Sequence, residues 1–169
     1  MKSYFVEGCD SKELYQKLIR YMIAYSDSFS LTYFRHNRIE RLKRTAKRIK
    51  EKLEPYKLYA KETTHLPSME TLNYNSHIYE LTVYRASAEV VSVLEELDSL
   101  WQWDYPCYPM DLCFFKSGLA WFISSAHEEY AILYTDDPGV INDLRDLGLK
   151  FSGVREAGED ELYRDTQKS

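Results

Sequence analysis

The sequence predicts an α+β fold: a mixed, largely antiparallel sheet with about four helices in a single compact domain. Segments of helical and of strand periodicity alternate along the chain. The stretch 110–135 predicts three consecutive strands with tight turns, which is typical of an antiparallel meander. A length of 169 residues suits one domain around one core. A doubly wound α/β sheet is the alternative, and the hairpins of the last third count against it.

The first elements predict strand, helix, strand. The segments 2–8 (KSYFVEG) and 28–35 (SFSLTYFR) are rich in β-forming residues. Between them, Asp10 and Glu13 match a capping box, and apolar residues recur at helical spacing. Two strands joined by a helix suggest a βαβ unit, whose crossover is right-handed if the strands are parallel.

The middle of the chain predicts a second helix over 38–53, which ends before Pro55. Strands follow at 57–64 and 76–85, and a third helix begins near Ser87.

The last third predicts strands at 110–116, 119–125 and 130–135. Both faces of 119–125 (LAWFISS) are largely apolar, so we expect a central strand covered on both sides.

A fourth helix is predicted to start at Asp137 and Pro138 and to end at Gly148, before an edge strand over 149–154. The polar residues after 156 predict one domain, 1–155, and a mobile acidic tail, 156–169.

Composition narrows the function classes. No apolar run approaches the roughly 20 residues of a membrane span, and the first 25 residues do not resemble a signal peptide, so we expect a cytoplasmic protein. The three cysteines have neither disulfide-framework nor zinc-ligand spacing, which predicts free thiols and no metal. No motif indicates a cofactor, and the oligomeric state is not predicted.

The loop 101–109 (WQWDYPCYP) carries four aromatic side chains on a segment stiffened by two prolines: Trp101, Trp103, Tyr105 and Tyr108. They either cap the core or form a contact patch of the kind enriched at protein interfaces. On the second interpretation, replacing Trp103 and Tyr105 by alanine leaves folding nearly intact and abolishes partner capture.

A candidate catalytic group lies where the central strand should end. Pairing of the predicted hairpin brings Asp111 towards Ser124 or Ser125, and His127 follows two residues later. An imidazole oriented by a carboxylate beside a hydroxyl is what nucleophilic catalysis requires. A structural role for the same residues is the alternative, because no established catalytic motif accompanies them.

The predicted helix 38–53 lies in the most basic part of the chain, where ten Lys or Arg and three Glu lie between Arg35 and Lys57. Its apolar residues share one face, which leaves a cationic ridge on the other. The ridge residues proposed to contact a partner are Arg41, Arg44, Lys47 and Arg48. Exposed surface without a partner, an acidic protein, the chain's own acidic end and nucleic acid are the alternatives. The overall charge of −5 opposes nucleic acid.

Four segments resemble small soluble proteins of spore-forming Firmicutes that carry the label stage III sporulation protein. The segments are MKSYFVEG-x-DS-x-ELY, YSDSFSL-x-YFR, WxWDYPxxPMDLCF and AHEEYAxLYTDD, and they are spread from residue 1 to about residue 137. The resemblance implies a bacterial cytosolic protein of uncharacterised role. It assigns no catalytic or binding residue.

These patterns favour a non-catalytic protein-interaction protein of the immunity, inhibitor or accessory type, with another protein as partner. Two alternatives stay open: a hydrolase or nuclease using His127 with Asp111 and Ser125, and nucleic-acid binding through the helix 38–53.

Overall fold

The computed structural model describes residues 1–34, 43–68 and 78–165. The helices are α1 (Lys12–Tyr25), α2 (Arg44–Leu53), α3 (Val91–Leu94) and α4 (Pro138–Leu147). The strands are β1 (Lys2–Glu7), β2 (Ser28–Phe34), β3 (Lys57–Thr63), β4 (Tyr79–Arg85), β5 (Met110–Lys116), β6 (Leu119–Ser125), β7 (Tyr130–Tyr134) and β8 (Lys150–Glu156). The predicted α+β class is confirmed, and within the described ranges every strand pair of the sheet is antiparallel.

All eight strands belong to one sheet in the order β3-β4-β2-β5-β6-β7-β1-β8. The meander β5-β6-β7 occupies its middle, as the sequence predicts. β1 and β2 point in the same direction, because four antiparallel steps lead from one to the other, but three strands lie between them. The expected βαβ unit is therefore not a pair of adjacent parallel strands, and α1 connects two distant parts of the sheet.

Helix α1 forms where the apolar spacing predicts it, but its cap differs from the prediction. Ser11 is the N-cap, and its hydroxyl accepts a hydrogen bond from the Leu14 N–H at 3.1 Å. Asp10, the predicted capping residue, lies one position before the cap. At the other end of the chain, Asp137 caps α4 and Gly148 ends it with φ 111°, as predicted.

The β5-β6 hairpin turns at Ser117 and Gly118, both of which have positive φ. Two such residues in succession match the twist of a tight hairpin. A β-bulge follows, because Phe114 pairs with Phe122 while Phe115 pairs with Ala120. The Ala120 N–H donates outside the hairpin, to the Tyr163 carbonyl at 3.0 Å.

The sheet is apolar on both faces. One face packs against the helices in a core that contains buried residues of all four of them, including Leu18, Ile49, Leu94 and Leu144. On the opposite face, a second cluster includes Cys113, Phe115, Ile123, Ile132 and Tyr134. Every residue of β6 is buried, which confirms the strand covered on both sides.

The C-terminal segment 157–165 covers part of the second face, so the predicted mobile tail, 156–169, is wrong for these residues. Leu162 is only 8% exposed and belongs to the second cluster, against which Tyr163 packs. The Asp165 N–H donates to the Gly118 carbonyl at 2.8 Å. Burial of two apolar side chains and these backbone bonds hold an otherwise polar segment in place. Residues 166–169 of the predicted tail lie outside the described residues.

Among the residues that the structure describes, none of the helices is both long enough and apolar enough to span a membrane.

Candidate functional site

Trp103 lies in the core and not in a contact patch. Its side chain is fully buried, and its indole N–H donates to the Tyr15 hydroxyl at 2.9 Å. The Tyr15 hydroxyl in turn donates to the Leu94 carbonyl at 2.7 Å. The prediction that Trp103 contacts a partner is therefore wrong, and we now expect its replacement to impair folding rather than to leave it nearly intact. A large apolar ring enters the core when its one polar atom finds a partner there.

The other three aromatic residues of the loop are half-buried against neighbours within the chain. The Trp101 indole N–H lies 3.4 Å from an Asp10 carboxylate oxygen. The Tyr105 ring is 4.7 Å from the Phe34 ring, and the Tyr108 ring is 6.3 Å from the Trp103 ring, both edge to face. The loop thus caps the core, which is the first of the two interpretations of its aromatic residues.

The same loop holds the start of α2. The Pro106 carbonyl accepts a hydrogen bond from the Lys43 N–H at 3.2 Å, and the Cys107 carbonyl accepts one from the Thr45 hydroxyl. Half-buried residues of the loop thereby fix the first turn of α2.

Asp111 is bonded to groups other than the predicted imidazole. The Ser68 hydroxyl donates to one carboxylate oxygen at 2.7 Å, and the Ala126 N–H donates to the other at 3.0 Å. Burial raises the pKa of the Asp111 carboxyl above its usual value, and these two hydrogen bonds oppose that rise. Asp111 thus ties the β6-β7 turn to the segment that follows β3.

The other two predicted catalytic residues do not complete a catalytic arrangement. Ser125 is buried at the end of β6, whereas His127 is exposed in the turn that follows. In the described ranges, no hydrogen bond or ion pair links His127 to Asp111 or to Ser125. Ser124, the alternative hydroxyl, donates to the Leu112 carbonyl at 2.7 Å. A general base must reach the proton that it removes, and this geometry does not supply that contact.

Helix α2 has the amphipathic form that the sequence predicts. Ala46, Ile49 and Leu53 are buried, and the basic side chains lie on the remaining surface. The helix begins at Arg44, whereas the first residues of the predicted helix, 38–42, lie outside the described residues. Arg41 is among them, so its contact with a partner stays a prediction.

The C-terminal half of α2 pairs its charges within the protein. Arg48 binds Glu96 at 2.8 Å, and Lys52 binds the same carboxylate. Lys50 binds Glu80 at 2.8 Å. These cations already have carboxylate partners, which lowers their availability to an external partner.

The first turn of α2 is different. Lys43, Arg44 and Lys47 are exposed, and within the described residues no carboxylate lies in ion-pair distance of them. The first turn has no acidic residue, and Lys43 makes no side-chain capping bond. Cations at a helix N-terminus oppose the helix dipole, at a cost of about 0.3–1 kcal/mol each. These residues therefore do not serve the stability of the helix.

Sequence reasoning missed the carboxylates that divide the cationic ridge into a paired and an unpaired half. Glu96 lies 48 positions after Arg48, and Ser68 lies 43 positions before Asp111, so no local spacing connects either pair. In the described part of the chain, no group of three or more His, Cys, Asp or Glu side chains is placed to hold a metal ion.

No family model, curated protein or solved structure matches this chain.

Proposed function

We propose that the protein is a non-catalytic interaction protein that binds an acidic surface of another protein through the first turn of α2. The observation that carries the proposal is the group of exposed cations Lys43, Arg44 and Lys47, which have no ion-pair partner among the described residues, in a protein whose net charge is −5. Its bacterial origin, cytosolic location and link to sporulation are part of the proposal and rest on the sequence resemblance and on composition.

Electrostatics supports this surface over the aromatic loop. Unpaired cations at a helix N-terminus gain a compensating interaction when carboxylates of a partner approach them. The loop 101–109, by contrast, buries Trp103 in the core and bonds the backbone of α2.

The distribution of charge favours a protein partner over nucleic acid. Glu51 and Glu54 are exposed on and just after α2, next to Lys47 and Lys50. A nucleic acid presents a continuous row of phosphates, which these carboxylates would repel. Separate carboxylates on a protein can meet the unpaired cations and avoid Glu51 and Glu54.

A pair of matched variants tests the proposal. Arg44→Glu with Lys47→Glu reverses two charges at the proposed surface. Lys2→Glu with Lys150→Glu reverses two exposed charges on β1 and β8, at the other end of the sheet order. Each variant changes the net charge by the same amount, so a general effect of protein charge is the same in both.

The assay is capture of partners from bacterial cytosol with wild type and both variants, followed by binding measurements with the purified captured protein. We expect the Arg44/Lys47 variant alone to lose capture. Lysine in place of the partner's contacting carboxylates should then restore binding to that variant, because the charges are complementary again.

Equal capture by both variants would contradict the proposal, as would a charge exchange that restores nothing. A short DNA or RNA duplex provides the second comparison. Binding to it that falls steeply with salt and is lost in the Arg44/Lys47 variant would assign the surface to nucleic acid instead.

A further inference from the structure

A cavity of about 290 Å³ lies on the sheet face opposite the helices. Its floor includes Ile123 of β6 and Ile132 of β7, and its walls come from residues 65–67 and 160–163. Ligand sites in proteins span about 300–1,000 Å³, so this cavity matches a small organic molecule.

Polar and apolar groups both line the cavity. Tyr130, Tyr134 and Tyr163 line it together with the two isoleucines of the floor. The half-buried rings of Tyr130 and Tyr163 offer flat surface to an aromatic group, and the faces of tyrosine rings attract cations.

Among the described residues, one carboxylate at the cavity has no cation paired with it. Arg155 is held by Glu161, with Nη1 2.9 Å from Oε1 and Nη2 paired with Oε2. Lys61, which lies 5.6 Å from the centre of the Tyr163 ring, pairs with Asp165 at 3.3 Å. Asp160 lines the cavity and is exposed, and no ion pair to it is formed within the described ranges.

We propose that this cavity binds a small aromatic amine, with its ring against Tyr130 and Tyr163 and its ammonium group beside Asp160. A carboxylate ligand fits less well, because it would have to displace Glu161 from Arg155 and would then lie close to Asp160. This site is on the face opposite α2 and does not depend on the proposed protein partner.

Three probes of similar size separate the contributions of ring and charge: phenethylamine, the neutral 2-phenylethanol and the anion 3-phenylpropionate. Binding is followed by amide chemical shifts in nuclear magnetic resonance spectra of the whole chain. We expect phenethylamine to bind most tightly and to shift the amides of β6, β7 and residues 160–163.

Asp160→Asn tests the assigned carboxylate, and Glu159→Gln is its matched control. Glu159 is an exposed neighbour that pairs with Arg164 at 3.1 Å and does not line the cavity. We expect Asp160→Asn to weaken phenethylamine binding about two- to fivefold, the range for an exposed ion pair, and Glu159→Gln to leave it unchanged.

Equal weakening by both substitutions would show a general effect of the acidic surface and would overturn the site. So would tighter binding of the anion than of the amine, or the absence of shifts at the cavity with millimolar phenethylamine.

Discussion

Replacement of Trp103 by alanine tests whether the loop 101–109 is part of the core. The Trp103 side chain is 0% exposed, so the substitution removes a whole ring from the core. Such Trp→Ala changes cost about 3–5 kcal/mol. The Tyr15 hydroxyl also loses its donor, which adds about 1 kcal/mol. We expect the free energy of unfolding to fall by about 4–6 kcal/mol, against a total of about 5–15 kcal/mol for a domain.

The measurement is urea unfolding followed by far-ultraviolet circular dichroism. With a slope of about 2 kcal/mol/M, the expected loss lowers the midpoint urea concentration by about 2–3 M. Two variants serve as comparisons. Trp103→Phe keeps most of the apolar contact but not the N–H donor, and should cost about 1–2 kcal/mol. Trp101→Ala, in a half-buried position of the same loop, should cost about 1 kcal/mol.

A loss below about 1 kcal/mol for Trp103→Ala, or one equal to that of Trp101→Ala, would refute this placement. The loop would then not be part of the core, and its aromatic rings would again be candidates for partner contact.

Two further substitutions test other parts of the fold. Leu162→Ala should lower the free energy of unfolding by about 2 kcal/mol, because Leu162 is 8% exposed. Leu58 is 53% exposed, so Leu58→Ala should change the free energy of unfolding little. Equal effects of the two substitutions would contradict the packing of residues 157–165. For Asp111, the raised pKa means that the folded state binds the proton more tightly than the unfolded state, so stability falls as the pH rises from the unfolded pKa of about 4 through the folded one. Asp111→Asn should lack this part of the pH dependence of stability, measured by urea unfolding between acid and neutral pH. If the substitution left the pH dependence unchanged, Asp111 would not be its source.

Local patterns predicted most of the elements, because each strand or helix carries its own periodicity. The strand predicted at 119–125 is β6, and the helix signals at Asp137 and Gly148 mark α4 within one residue. The order of the strands in the sheet could not be predicted from these local patterns. β2 pairs with β5 at residues more than 70 positions apart, and such pairing depends on how whole faces pack.

The errors at the candidate site have a common physical origin. Two prolines suggested that Trp103 lies on an exposed loop, but its burial is decided by Tyr15, which is 88 positions away. The polar composition of residues 156–169 predicted a mobile tail, although Leu162, Tyr163 and backbone hydrogen bonds hold residues 157–165 on the sheet. In both cases a few contacts between distant parts of the chain outweighed local composition.

The contacts between the loop and α2 change how binding data on loop variants are interpreted. Since the Pro106 and Cys107 carbonyls bond the first turn of α2, a loop that loses Trp103 from the core also releases the backbone that positions Lys43 and Arg44. A Trp103 variant that lost partner capture would therefore not identify the loop as the contact surface. Charge reversal at Arg44 and Lys47 leaves the core and these backbone bonds in place. The charge variants therefore test whether α2 contacts the partner, without disturbing the loop that positions α2.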